Sequence, residues 1–145
     1  MSDTSTSSAD RAERAKPESF RGRNLAASFT VNDLTKSLAW YCDVIGFTIH
    51  EKYDRGGKLQ AASLKAGDVR ILLGQDDGAK GWERTKGVGC SLQIETAQDI
   101  NELAARIKAQ GGTLESEPMD MPWGSRVFRV ADPDGFKIAI SSERT

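Results

Sequence analysis

Two stretches of this chain carry the same succession of hydrophobic periods, and that duplication limits the fold more than any single motif does. In the first stretch Leu25, Ala27, Phe29 and Val31 alternate with Asn24, Ala26, Ser28 and Thr30, the two-residue period of a strand over residues 24–31. Asn32 or Asp33 then caps a helix whose apolar stripe is Leu34, Leu38, Tyr41, Cys42 and Ile45, and Gly46 stops it. Three strands are predicted next, over 47–53, 58–64 and 69–73, with turn chemistry at Arg55-Gly56-Gly57 and Ala66-Gly67-Asp68. The second stretch repeats the order: a strand over 88–95, an approximate capping box of Thr96 with Asp99, and a helix striped by Ile100, Leu103, Ala104 and Ile107. Gly111-Gly112 ends that helix, and strands follow over 113–117, 126–131 and 136–141. The chain therefore reads as α+β, βαβββ written twice, each unit exposing a sheet face until it is paired.

The last two strands are joined by Asp132-Pro133-Asp134-Gly135. Pro133 presets φ at the second position of a type I turn, Asp132 can accept from the turn amides, and Gly135 can take the left-handed conformation that closes the hairpin. Phe136, Ile138 and Ile140 then alternate with Lys137, Ala139 and Ser141, a strand with one buried face.

Outside the two modules, 24–75 and 88–145, the pattern fades. Residues 1–23 are rich in Ser, Thr and charge, with Phe20 as their one aromatic, and read as a disordered arm. Asp3, Asp10, Glu13 and Glu18 argue against a transit peptide, which is poor in acid. Residues 76–87 are polar and contain glycine, a linker between the modules.

At 145 residues the chain can bury a core without staples. Its net charge of −1 gives no electrostatic case for nucleic acid or an anionic membrane. No apolar run approaches the roughly 20 residues a membrane span needs. Cys42 and Cys90 form no close motif and no signal sequence is visible, so the expectation is reduced thiols in a cytoplasmic protein. There is no phosphate-binding glycine loop with a lysine, no Gly-x-Ser-x-Gly elbow and no paired-cysteine metal spacing.

Taken together, Val31-Asn32-Asp33-Leu34, Ser37, Trp40-Tyr41, Val44-Ile45-Gly46-Phe47, Pro122-Trp123-Gly124 and Asp132-Pro133-Asp134-Gly135 resemble the vicinal oxygen chelate superfamily. That group contains glyoxalase I, extradiol dioxygenases, fosfomycin resistance proteins and bleomycin resistance proteins. The resemblance covers residues 24–142 and implies curved mixed sheets, with helices outside and a shared ligand cleft between the modules. Metal-dependent members carry a His early in a module's first strand and a Glu late in its last. Here those positions fall on Ala26, Leu72, Gly89 and Ala139, none of which can ligate, and the chain has a single His, His50. His50 is expected to be structural or solvent-facing, and Cys90 a core thiol rather than a ligand.

Replacing large ligands by small residues predicts a roomy floor of Asn24, Ala26, Ser28, Leu72, Gly89, Ser91, Gln93, Ala139 and Ser141. The alternative is that the small residues only let the modules pack closely. The candidate ligand-binding residues are Ser28, Leu72, Ser91 and Gln93 of this floor with Trp123 and Arg126 at its mouth, the last two either as a stacking plane and an anion partner or as a cover for the sheet edge and a tie for the turn. No catalytic residue, metal or cofactor is assigned. The expected function is that of a metal-independent small-molecule binder resembling bleomycin resistance proteins, acting as a homodimer. The alternatives are a lyase or dioxygenase with other metal ligands, and a structural or regulatory dimer with no ligand.

Overall fold

A computed structural model of the protein describes residues 19–143. Residues 1–18 of the expected disordered arm lie outside the described residues. Strand β1 (Ala26–Val31) leads to helix α1 (Leu34–Ala39), which continues as a π-helical turn over Trp40–Ile45. Strands β2 (Thr48–Arg55), β3 (Lys58–Ala66) and β4 (Val69–Gln75) complete the first unit. The second runs β5 (Ser91–Thr96), helix α2 (Ile100–Ala109), β6 (Leu114–Asp120), β7 (Arg126–Ala131) and β8 (Lys137–Ser142). Each unit forms its own four-stranded mixed sheet, in the orders β1-β4-β3-β2 and β5-β8-β7-β6, with the first strand parallel to the last. The α+β fold of two βαβββ units is thus present as the duplicated periods require.

Both helices begin on an aspartate. The Asp33 carboxylate accepts from the Lys36 amide and that of Asp99 from the Glu102 amide, each satisfying one of the donors a helix start leaves open. The cap of α2 is therefore Asp99; Thr96 instead accepts from the Gln98 amide ahead of the helix. The π-helical end of the first helix arises because the amides of Gly46 and Phe47 both donate to the Tyr41 carbonyl at 2.9 Å, with Gly46 at φ +111°. This wider turn keeps Tyr41 and Ile45 in the core while Trp40 and Cys42 are half-buried.

The two sheets share one core. Phe29, Val31, Leu64, Ile71 and Leu73 of the first cluster with Phe128, Val130, Ile138 and Ile140 of the second, around Leu34, Tyr41, Ile45, Ile100, Ala104 and Ile107 of the helices. These residues occupy alternate strand positions, so the intervening residues point to the opposite face. That opposite face carries Ala26, Ser28, Thr30, Ser91, Gln93 and Glu95, all exposed. The units meet through their apolar faces, so the small polar floor looks outward instead of lining a closed cleft between them.

At the junction the Phe29 and Phe136 rings stack at 4.1 Å and 9°. The Asn32 amide donates to Asp134 Oδ1 at 3.3 Å, and Ser37 Oγ contacts Asp134 Oδ2 at 3.5 Å. The linker is folded down onto this junction. Its Lys86 ammonium, with a side chain 5 % exposed, reaches both Asp76 Oδ2 at 2.7 Å and Asn32 Oδ1 at 2.6 Å. Among the described residues no helix is long and apolar enough to cross a membrane.

Candidate functional site

Strand register decides which predicted residues share a surface. Ser28 lies opposite Leu72, which lies opposite Ser63, one row across the outward face of the first sheet. Gln93 lies opposite Ala139, which lies opposite Arg129, the matching row of the second. Ser91 is two residues from Gln93 on the same face, opposite Lys137. The predicted residues therefore fall into two groups on two sheets, Ser28 with Leu72 and Ser91 with Gln93.

Trp123 joins the second group because of the β6–β7 connection. The Gly124 amide donates to the Met121 carbonyl at 3.0 Å and the Met121 amide to the Ser125 carbonyl at 2.7 Å, while Gly124 takes φ +94°. A three-residue loop of Pro122, Trp123 and Gly124, closed by a left-handed glycine, turns back sharply and holds the indole at the hairpin tip. Trp123 is 49 % exposed. With Gln93, Glu95, Ser125 and Ser141 it walls an open recess of about 390 Å³, inside the range of small-molecule sites. Glu95 and Ser141 were not among the predicted binding residues, although the period of two from Gln93 and Ala139 places both on this face. Arg129 shares the face for the same reason.

Arg126 is not part of this recess. It alternates with Phe128 and Val130, whose side chains enter the core, so it lies on the helix-facing side of β7. There its guanidinium donates to Asn101 Oδ1 of α2 and to Asp120 Oδ1, both at 3.0 Å. It ties the β6–β7 hairpin to the helix. Cys90 is exposed because β5 starts only at Ser91, which leaves residue 90 in the preceding turn instead of on the apolar face. His50 is exposed on β2.

The metal-dependent members of the resembled family imply a divalent ion, and the residues here do not fit one. Ala26, Leu72, Gly89 and Ala139 bring no donor atom. Among the described residues no three His, Cys, Asp or Glu side chains converge as a ligand set.

The strongest electrostatic perturbations lie away from the recess. Burial holds the Asp132 carboxyl above its ordinary value, opposed by hydrogen bonds from Tyr41 and from the amides of Phe136 and Asp134. Burial, then the charge of Asp132, pushes the Tyr41 phenol far up. Hydrogen bonding from Lys86, then from the Gly78 amide, holds Asp76 well below the usual carboxylate range. All three groups join segments of the fold: Asp132 and Tyr41 tie the last turn to the first helix, and Asp76 ties the linker to the first unit.

Sequence comparison gives the chain its relatives. It is 33% identical over 117 residues to a probable lactoylglutathione lyase of Synechocystis sp., covering 76% of this chain and 87% of that protein. It is 30% identical over 125 residues to the bleomycin resistance protein of Geobacillus stearothermophilus, covering 76% and 89%. The fold matches the crystal structure of a superfamily member from Sphaerobacter thermophilus with a TM-score of 0.68 at 24% identity, covering 85% of this chain and 98% of that one. The sequence model of the Glyoxalase/Bleomycin resistance protein/Dioxygenase superfamily matches residues 25–140. With the duplicated βαβββ order and the two mixed sheets already described, that match makes this chain a member of the glyoxalase/bleomycin resistance protein/dioxygenase superfamily.

Proposed function

We propose that the chain is a metal-independent binder that sequesters or carries a small aromatic or amphipathic molecule on the outward face of its second sheet. One observation carries this reading. Gln93 is the register partner of Ala139, so the Trp123 recess abuts the position at which the resemblance to metal-dependent members implies a Glu and this chain has Ala. A half-exposed indole, an amide, a carboxylate and two hydroxyls can stack on and orient a ligand, and they supply no Lewis acid. Similarity to bleomycin resistance proteins supports a binding role. A second copy of the chain completes the site in this proposal: Ser28 and Leu72 sit on a separate outward face, and β2 is exposed along its length, so a homodimer can set the first sheet of one copy over the second sheet of the other.

The test uses the purified full chain. Elemental analysis is expected to find no stoichiometric metal, and light scattering to find a dimer. A panel of planar aromatic compounds that includes bleomycin should contain a ligand that raises Tm and quenches tryptophan fluorescence saturably. Similarity to a probable lactoylglutathione lyase supports the rival reading. Stoichiometric Ni, Zn, Fe or Mn together with lactoylglutathione lyase activity would establish it and overturn the proposal.

A further inference from the structure

β1 and β5 are the end strands of their sheets, and neither pairs with the other. Near the end of β1 the first unit is held to the β7–β8 turn of the second, by the Phe29–Phe136 stack and the Asn32–Asp134 hydrogen bond. Near the start of β1 the gap between β1 and β5 stays open. A depression of about 560 Å³ lies there, between Leu25, Ala27, Val69 and Ile71 of the first unit and Leu92 and Ile94 of the second. Leu25 is 90 % exposed at its mouth.

The rim is cationic. Arg23, Lys65 and Arg70 line the depression with Asp68 as their single acidic neighbour on it. Lys65 and Arg70 are directly opposite each other on β3 and β4 and, with Ala26 as the register partner of Arg70, lie on the outward face, so they meet the depression over the small Ala26 at the edge of β1 while Ala27 and Ile71 wall it from the other face. Like charges opposed across two strands destabilise a sheet unless something neutralises them. Among the described residues no carboxylate forms an ion pair with Arg23, Lys65 or Arg70.

We infer that this seam is a second binding site, for an anionic amphiphile: a slender apolar body lying between β1 and β5, with a single carboxylate or sulfonate head held by Lys65, Arg70 and Arg23. The apolar walls supply area for the body, and the two guanidinium groups present paired donors to an oxyanion. A neutral amphiphile gains only the first of these, and a cationic one meets the rim as repulsion. The inference does not depend on the Trp123 recess. Gln93 borders both sites, and the diagnostic residues of the seam are on the other side of it.

Decanoate, decan-1-ol and decyltrimethylammonium are the probes, titrated below micellar concentration into the full chain by calorimetry and by ¹H–¹⁵N NMR. Decanoate is expected to bind once per chain, to shift Ala27, Leu92 and Ile94, and to weaken as salt is raised. Decan-1-ol should bind about tenfold more weakly and the ammonium not at all. Lys65→Gln with Arg70→Gln removes the opposed charges from exposed positions and should weaken decanoate about tenfold while leaving decan-1-ol unchanged. The inference is overturned if decanoate does not saturate, if the alcohol binds equally well, if the double variant binds decanoate as the wild type does, or if the shifts fall on Trp123 and Ser141. The last result would assign the amphiphile to the recess, and the others would leave the recess reading untouched.

Discussion

The phenol of Tyr41, in the first unit, donates a 2.8 Å hydrogen bond to Asp132 Oδ2, in the last turn of the second. Tyr41 is fully buried and Asp132 is 5 % exposed, so neither group has water as an alternative partner. The other oxygen of Asp132 accepts from the amides of Asp134 at 2.9 Å and Phe136 at 2.8 Å. A turn that closes a hairpin in one unit is thereby fixed to the helix of the other. Tyr41→Phe removes the donor and leaves a buried carboxylate oxygen unmet, at a cost of about 1–3 kcal/mol. Calorimetry should show Tm lowered by roughly 3–10 °C with both units still unfolding in one transition.

The same carboxyl gives a pH dependence whose sign is fixed. Its value in the folded protein is raised, chiefly by burial, above that in the unfolded chain. Between those two values the folded state holds more protons, so this group's contribution to stability is full below the unfolded value and is lost as pH rises through the folded one. Asp132→Asn cannot titrate and keeps an oxygen for the amides of Asp134 and Phe136. Urea unfolding from pH 3.5 to 7 should show the wild type losing stability relative to Asp132→Asn as pH rises. A constant difference across that range would refute the assignment.

What the sequence disclosed, and what it hid, follows from the range of the forces involved. Alternation at Leu25 to Val31, at Val88 to Glu95 and at Phe136 to Ser141 is a local signal, and it located the strands and put Ser28, Gln93 and Ser141 on the face opposite the apolar one. The same alternation applied to Arg126, Phe128 and Val130 assigns Arg126 to the helix side, and of the two roles open to it the structure shows the tie, through Asn101 and Asp120, not the anion partner. Contacts across the junction were not legible. Phe29 stacks on Phe136 from 107 positions away, and no periodicity within one unit selects that partner. The outward direction of the floor was hidden for a related reason. Period two gives two faces, and only the fit of both apolar faces around α1 and α2 decides which one is covered.

The linker makes a testable strap. Asp76 accepts from Lys86, from Arg84 at 3.2 Å and from the Gly78 amide at 2.9 Å, and its own amide donates to the Val31 carbonyl at 2.8 Å. Lys86→Met withdraws the closest of these partners and leaves the carboxylate side chain, 5 % exposed, with only the half-exposed Arg84 as counterion. The expected outcome is a lower Tm and faster tryptic cleavage after Arg84. The depressed value of Asp76 adds a second check. Its contribution is present above the unfolded carboxylate value and disappears as pH falls through the folded one. The stability gap between wild type and Lys86→Met should therefore narrow on acidification below about pH 4.

Trp123 and Arg126 are three residues apart and should behave as opposites. Trp123→Ala removes the wall of the recess, and the loss of an aromatic stacking partner is worth about 1 kcal/mol, or roughly fivefold in Kd for a planar ligand found by the panel. Arg126→Gln loses contacts to Asp120 and Asn101 made by a side chain 37 % exposed, so its stability cost is well under about 1 kcal/mol after solvent screening. Ligand affinity should not change. Equal losses of affinity in the two variants would contradict the separation of Arg126 from the recess.

Gly87, the last residue of the linker, has φ +75° and lies against the backbone of the Asp132–Gly135 turn. A Cβ there would stand 2.6 Å from the Gly135 carbonyl oxygen and 3.0 Å from the Phe136 Cα. Neither is the tip of a flexible side chain, so the contact can be relieved only by moving the linker or the turn. The left-handed backbone adds about 1–2 kcal/mol for any residue with a Cβ. Gly87→Ala should therefore destabilise the fold by at least that amount. Gly89, at φ +73° and with open space around its missing Cβ, should cost only the backbone share when replaced by alanine. Urea unfolding of the two variants separates strain from collision: a larger loss for Gly87→Ala places the linker tightly on the turn, and equal losses would show that it does not press there.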